Sequence, residues 1–259
     1  YHDATEIEMA LNDLWRPDFF PIDGIDWDDD VLNRGASNEI TIGTVTSQWK
    51  TSVSRWNVLY KAIARANKIV NALDKGSASG LREAKVNQYK GEAYFMLGFA
   101  YGELTAYYGD CILNNNMSLN EAYHAARSPK EKVLEYAYEC FDKAIEYLPA
   151  TITGQLRPTK GAALGFKARF ALFHQDWQTA ADAAKQCMDL NVYELHDNYL
   201  DLFKADKSKE LMFYFKGNLA LKKGFGLFTD IRNTIIRKVS GTAGKSPSLE
   251  LLCAYTCID

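Results

Sequence analysis

GEAYFMLGFAYGELTAYYGD, residues 91–110, is the stretch on which the fold turns. Within it, Leu97-Gly98-x-x-Tyr101 sets a glycine one helical turn before a tyrosine. On a helix these lie on one face. The glycine lets a second helix approach closely, and the tyrosine fills the groove beside the contact. The matching surface lies downstream, where Ala137-x-x-x-Phe141, Ala144 and Pro149 place small residues and one large ring at helical spacing before a proline that stops the helix. Gly109 is a good residue for ending the upstream helix, because it tolerates positive φ.

Leu-Gly-x-x-Tyr followed by Ala-x-x-x-Phe, Ala and Pro is the tetratricopeptide pattern, with an unusually long turn from about 109 to 127. A second unit begins at Leu164-Gly165-x-x-Ala168 and continues through Ala180, Ala184 and Cys187, with the short turn His174-Gln175-Asp176 between its helices. Helices joined by so short a link pack on each other. The expected fold class is all-α: tetratricopeptide-like helical pairs forming an α-α superhelix, with long irregular loops and little strand.

Working outward, apolar periodicity predicts helices over 4–15 (Ile7, Ala10, Leu11 and Leu14, with Thr5 as N-cap), 47–73, 81–108, 128–148, 158–174 and 176–190. Ser128-Pro129-Lys130-Glu131 reads as a capping box with proline at the first helical position. Residues 16–46 have two prolines, three glycines and an acidic run but no sustained period, which marks a long loop. ELMFYFK at 210–216 reads as a strand or extended segment, and 217–248 carries no clear pattern. Three regions are expected: an N-terminal helix and loop (1–46), the helical scaffold (47–205) and the start of an irregular C-terminal lobe (206–259).

Composition narrows the function classes. A net charge of −3 lacks the basic footprint that neutralises phosphates, so nucleic acid is not an expected partner. No apolar run is long enough to cross a bilayer. The five cysteines form no zinc-type spacing, and those in helical patterns, Cys140 and Cys187, read as buried free thiols. Asp26, Asp28 and Asp30 alternate as in a calcium loop, but the glycine and distal glutamate that complete such a site are missing, so solvated charge is the reading. No metal site and no cofactor are expected. Glu92, Glu103, Asp110 and Asp176 could serve a two-carboxylate glycosidase. The first two fall on a repeat helix, where solvated surface is the usual place for a glutamate. No His-Glu-x-x-His, Gly-x-Ser-x-Gly or phosphate loop occurs and the four histidines do not cluster, so an enzyme is not expected.

Several strings, taken in order, resemble the SusD/RagB family. WNVLYKAIARANKIV at 56–70 is similar to its first repeat helix, and residues 91–110 to its signature helix ending in Tyr-Gly-Asp. RPTKGAALGFKARFALFHQDWQTAADAA at 157–184 matches as well, with its Thr-Lys-x-Ala-Ala opening and Asp-Trp turn, and so do Tyr199-x-x-Leu-Phe203 and Ser208-Lys209-Glu210. The chain departs from the pattern at Ile112, where the family has proline, and at Leu97 or Gly98, where it has arginine. Past the element spanning 247–259, family members continue into a second lobe, and they carry an export signal and a lipid-modified cysteine upstream of the first helix.

The resemblance implies a glycan-binding protein on the extracellular face of the outer membrane. It would capture oligosaccharide, deliver it to a TonB-dependent SusC-like transporter, and touch the membrane only through a lipid anchor absent from this chain. Sugar recognition needs flat apolar faces for C–H groups and planar polar groups for hydroxyls. Trp27 amid Asp26, Asp28, Asp29 and Asp30, then Arg34, Asn38 and Trp49, offers that chemistry in a region from which the family draws ligand contacts. The expected ligand residues are therefore Trp27, Asp30, Arg34, Asn38 and Trp49. The repeat face is expected to meet a partner protein. The rival reading is a tetratricopeptide adaptor for peptide or protein partners, which needs only the repeats and leaves the aromatic loop 16–46 unexplained.

Overall fold

Helix α3 (Glu83–Tyr108) is apolar around most of its circumference and is buried through most of the stretch from Tyr89 to Thr105, as a helix without a polar face must be. It is the central post of the fold in the computed structural model, which describes residues 3–15, 19–20, 31–33, 44–77, 80–115, 119–151, 157–197, 209–213 and 245–247. The described chain is mainly α-helical, with α1 (Ala4–Leu14), α2 (Lys50–Asp74), α4 (Leu119–His124), α5 (Lys130–Tyr147), α6 (Lys160–Phe173) and α7 (Trp177–Asp189). Two short strands, β1 (Val31–Asn33) and β2 (Lys245–Pro247), complete the described elements.

Glycines let the helices meet as the repeat pattern requires. A Cβ added at Gly98 would stand 3.0 Å from the Phe141 ring, one at Gly91 2.8 Å from Leu148, and one at Gly102 2.6 Å from Phe170. Pairing 91 with 148 and 98 with 141 runs α3 and α5 antiparallel, and the third contact seats α6 beside them. Phe141 and Tyr101 are fully buried. The tyrosine hydroxyl accepts from the Asn114 N–H (2.9 Å), and it lies 3.1 Å from the Asn114 carbonyl. Helices α6 and α7 form the second pair, turning at Gln175 with φ 63°. In α7 the buried alanines are Ala180 and Ala183, while the expected Ala184 is exposed. The buried stripe thus keeps Ala180 and replaces only Ala184, by Ala183.

Three local readings change in three dimensions. Asp3, not Thr5, caps α1, its carboxylate accepting from the Glu6 N–H at 2.8 Å. Ser128 does not cap α5, because its backbone is engaged in an antiparallel bridge with Cys111. The cap comes instead from Asp110, whose Oδ1 accepts from the Lys130 N–H at 2.9 Å, so the Asp of Tyr-Gly-Asp neutralises a helix end twenty residues away in sequence. The 109–127 connection also contains α4, a helix of 6 residues too short to show periodicity. Residues 209–213 are turn and bend rather than strand. Phe213 plugs the aromatic core there, 5.6 Å from Phe95 and 5.9 Å from Trp15 between ring centroids. The rest of the expected strand, 214–216, lies outside the described residues.

The chain divides into two compact units, one of residues 1–19 and 55–214 and one of residues 20–54 and 215–259. The first holds the helical pairs. In the second, β1 and β2 pair antiparallel with Val31 opposite Pro247 and Asn33 opposite Lys245.

Gly102 tests the close-packing account. Alanine in a helix interior gains up to about 1 kcal/mol over glycine, but the new methyl would collide with a Phe170 ring held among Phe99, Phe141 and Phe166, and overpacking costs about 1–3 kcal/mol. Gly102→Ala is expected to lower stability in urea denaturation. A raised midpoint would show that the helices are not in contact there.

Candidate ligand-binding site

Of the five residues expected to meet ligand, Trp27, Asp30, Arg34 and Asn38 lie outside the described residues. Trp49 is described: it is half-buried immediately before α2, its N–H donating to the Thr46 carbonyl and its carbonyl accepting from the Val53 N–H, both at 3.0 Å. These bonds fix its backbone at the helix entry.

The packed helices assemble a second group of aromatic and charged side chains. Arg55 on α2 donates from its Nη2 to the Glu103 carboxylate on α3 at 2.9 Å. One turn on, Tyr107 carries the Arg55 guanidinium 5.8 Å from its ring centroid and is 48% exposed. On α6, Arg169 is exposed, and its neighbour Phe170 packs into the notch at Gly102. Burial pushes the Glu103 carboxyl above its ordinary range, and the two arginines oppose the shift. Burial and the neighbouring Glu103 raise the Tyr107 phenol.

Trp56 and Tyr108 stand on the other side of the same helix ends and have a different character. The Trp56 ring is held by Tyr60 at 4.9 Å, by the edge of Tyr108 at 5.0 Å and by the Arg127 guanidinium at 5.1 Å. Arg127 in turn reaches the Asp110 carbonyl at 3.5 Å. A ring clamped by three neighbours is an anchor between helices, whereas Tyr107 is about half exposed.

Glu92 and Glu103 are not solvated surface residues, contrary to their reading from sequence. Glu92 is 1% exposed and accepts from Arg157 (2.8 Å), Gln88 (3.0 Å) and the Trp15 indole N–H (3.1 Å). Burial raises its carboxyl despite Arg157. The four carboxylates considered for two-carboxylate chemistry all have structural partners: Glu92 and Glu103 in ion pairs, Asp110 capping α5 and Asp176 capping α7 through the Thr179 N–H. Among the described residues no group of three or more His, Cys, Asp or Glu could hold a metal ion, and no helix is long and apolar enough to cross a membrane.

The sequence places this architecture among known proteins. Residues 24–172, more than half of the chain, match the SusD-like family model described as starch-binding and associating with the outer membrane. SusD-like protein P2 of Formosa agariphila is 26% identical over 162 residues, covering 60% of this chain and 31% of the relative. A SusD superfamily protein from Bacteroides thetaiotaomicron superimposes with a TM-score of 0.81 at 19% identity, over 97% of this chain and 61% of that one. A SusD-like carbohydrate binding protein from Bacteroides fragilis gives a TM-score of 0.73 at 22% identity, over 84% and 47%. The chain thus spans about a third of the curated relative and about half to three fifths of the solved structures. The helical scaffold and the match over residues 24–172 agree: this chain belongs to the SusD-like family, whose members bind glycans in association with the outer membrane.

Proposed function

We propose that this chain acts in a cell-surface receptor that captures oligosaccharide at the outer face of the outer membrane, where a lipid anchor holds it, and hands the ligand to a TonB-dependent SusC-like transporter. The observation that carries this reading is the family match across residues 24–172, which takes in residues 24–46 of the aromatic loop and the first helical repeat. Trp27, Asp30, Arg34, Asn38 and Trp49 remain the proposed ligand contacts, because stacking rings beside planar polar groups are what a sugar requires. A surface for the transporter is supported by the α6–α7 corner, where Leu172, Phe173 and Trp177 are 57%, 63% and 62% exposed, more than isolated surface apolar residues would explain.

A glycan array with the intact protein is expected to show oligosaccharide binding, weakened about tenfold by Trp27→Ala or Trp49→Ala, the loss of one stacking contact worth about 1.4 kcal/mol. Unchanged binding in both variants would remove the proposed contacts. Absence of binding to any glycan would remove the receptor reading itself.

A further inference from the structure

Residues 209–213 turn across the second helical pair and are held there from several sides. Glu210 accepts from the His196 N–H at 2.7 Å, Phe213 lies among Trp15, Phe95 and Phe166, and Met212 between them fits the gap left by a glycine. A Cβ on Gly165 of α6 would stand 2.7 Å from the Met212 Cε, so the methyl fills the place of a missing side chain. The Met212 Sδ lies 3.7 Å from the Cys187 Sγ on α7, whose thiol is also 3.8 Å from the Gly161 carbonyl. Met212 thus touches both helices of the pair while remaining part-exposed. The Lys209–Glu194 ion pair at the start of the turn is exposed on both sides and adds little.

Among the described methionines, Met212 alone is both reachable and packed. Met96 is fully buried, out of reach of solvent, while Met9 and Met188 are 66% and 75% exposed, where an added oxygen meets water. We infer that Met212 is an oxidation site whose thioether, converted to the sulfoxide by hydrogen peroxide, releases the 209–213 turn from α6 and α7. The step is a two-electron oxygen transfer. The Sδ lone pair attacks one peroxide oxygen, the O–O bond breaks and an S–O bond forms, and the departing hydroxide takes the hydroxyl proton and leaves as water. The new oxygen is polar and lies beside Gly165 and Cys187, where the thiol, a weak donor already close to the Gly161 carbonyl, is what it meets. Burial raises the Cys187 thiol, which keeps it protonated and a poor competitor for peroxide.

Graded treatment of the intact protein with hydrogen peroxide, with sulfoxides mapped by peptide mass spectrometry and thermal unfolding followed alongside, tests the site. Met9 and Met188 should oxidise first with no change in midpoint. Conversion of Met212 should then lower the midpoint by about 2–4 °C, the shift expected when one buried contact is lost in a domain of this size. In the same samples the His196 amide should exchange its hydrogen several-fold faster, because Glu210 is no longer held against it. Met212→Gln, polar and of similar length, should show the lower midpoint before any peroxide is added. Met212→Leu should keep a constant midpoint while Met9 and Met188 oxidise. Methionine sulfoxide reductases for both sulfoxide epimers, supplied with a thiol reductant, should restore the parent's midpoint, a check that does not depend on how either variant folds. Met212 left unmodified once Met9 and Met188 are fully converted, or a midpoint indifferent to Met212 sulfoxide, would overturn the site. So would a peroxide-induced fall in Met212→Leu as large as the parent's.

Discussion

Phe141→Ala is expected to cost about 3–5 kcal/mol of folding stability, which makes it among the most damaging single truncations in the helical unit. The ring is fully buried on α5, meets the bare backbone of α3 at Gly98, and lies 6.1 Å from Phe170 on α6 and 6.2 Å from Phe95 on α3. It is therefore shared by three helices. Removing it loses transfer free energy and opens a cavity that cannot collapse, because glycine offers no side chain to fall inward and the neighbouring rings are held edge to face by Phe166. Urea denaturation should show a lower midpoint with an unchanged slope. Phe173→Ala, at a ring that is mostly exposed on α6, is the internal control and should change stability by no more than about 0.5 kcal/mol. Gly98→Ala sharpens the test: alone it forces its methyl against Phe141, whereas in the Phe141→Ala background it fills part of the hole and gains helix propensity. The two changes should couple favourably in a double-mutant cycle. If Phe141→Ala costs no more than Phe173→Ala, the repeat contact is not what holds α3 to α5.

The contact between Gly98 and Phe141 could be read from sequence because it repeats at helical spacing within each helix, and a local period survives folding unchanged. Features that depend on distant residues could not. Ser128 looked like a cap because its neighbours spell a capping box, yet Asp110 takes that position from the end of the preceding helix. Glu92 and Glu103 looked solvated because glutamate on a helix usually is. Their partners Arg157 and Arg55 lie 65 and 48 positions away, and no window of sequence joins them. The group around Tyr107 was missed for the same reason, although the surrounding all-apolar run of α3 was a signal that any charge on it would need a buried partner. Residues 210–213 misled through composition: aromatic content suggested a strand, while Phe213 is aromatic in order to fill the core from a turn. Trp49 was nominated for its place at the start of a helix, and Trp27, Asp30, Arg34 and Asn38 for the chemistry of the loop.

Arg157→Met should rival Phe141→Ala in cost, about 3–5 kcal/mol at neutral pH, but for an electrostatic reason that pH can expose. Arg157 is 8% exposed in its side chain and gives one guanidinium nitrogen to Glu92 and another to the Asn12 side chain on α1. Methionine keeps the apolar volume and removes the charge, so Glu92 is left ionised in the core with the Trp15 and Gln88 N–H groups and the more distant Lys85 charge to stabilise it. A buried carboxylate without its cation raises its pKa further and takes up a proton. Since the folded-state pKa of Glu92 lies above its unfolded value, the folded state binds the proton more tightly. The favourable contribution is present below the unfolded pKa and is lost as pH rises through the folded one. The deficit of Arg157→Met should therefore be largest at pH 7 and above and shrink on mild acidification. The same deficit should largely disappear at every pH in Arg157→Met/Glu92→Gln, because a neutral amide can keep the indole bond without carrying charge into the core. Thermal midpoints of the three proteins at pH 5 and pH 7.5 separate the causes. A deficit that ignores both pH and Glu92→Gln would mean that Arg157 matters through its tie to α1, and that the buried pair contributes little to holding α1 and the start of α6 against α3.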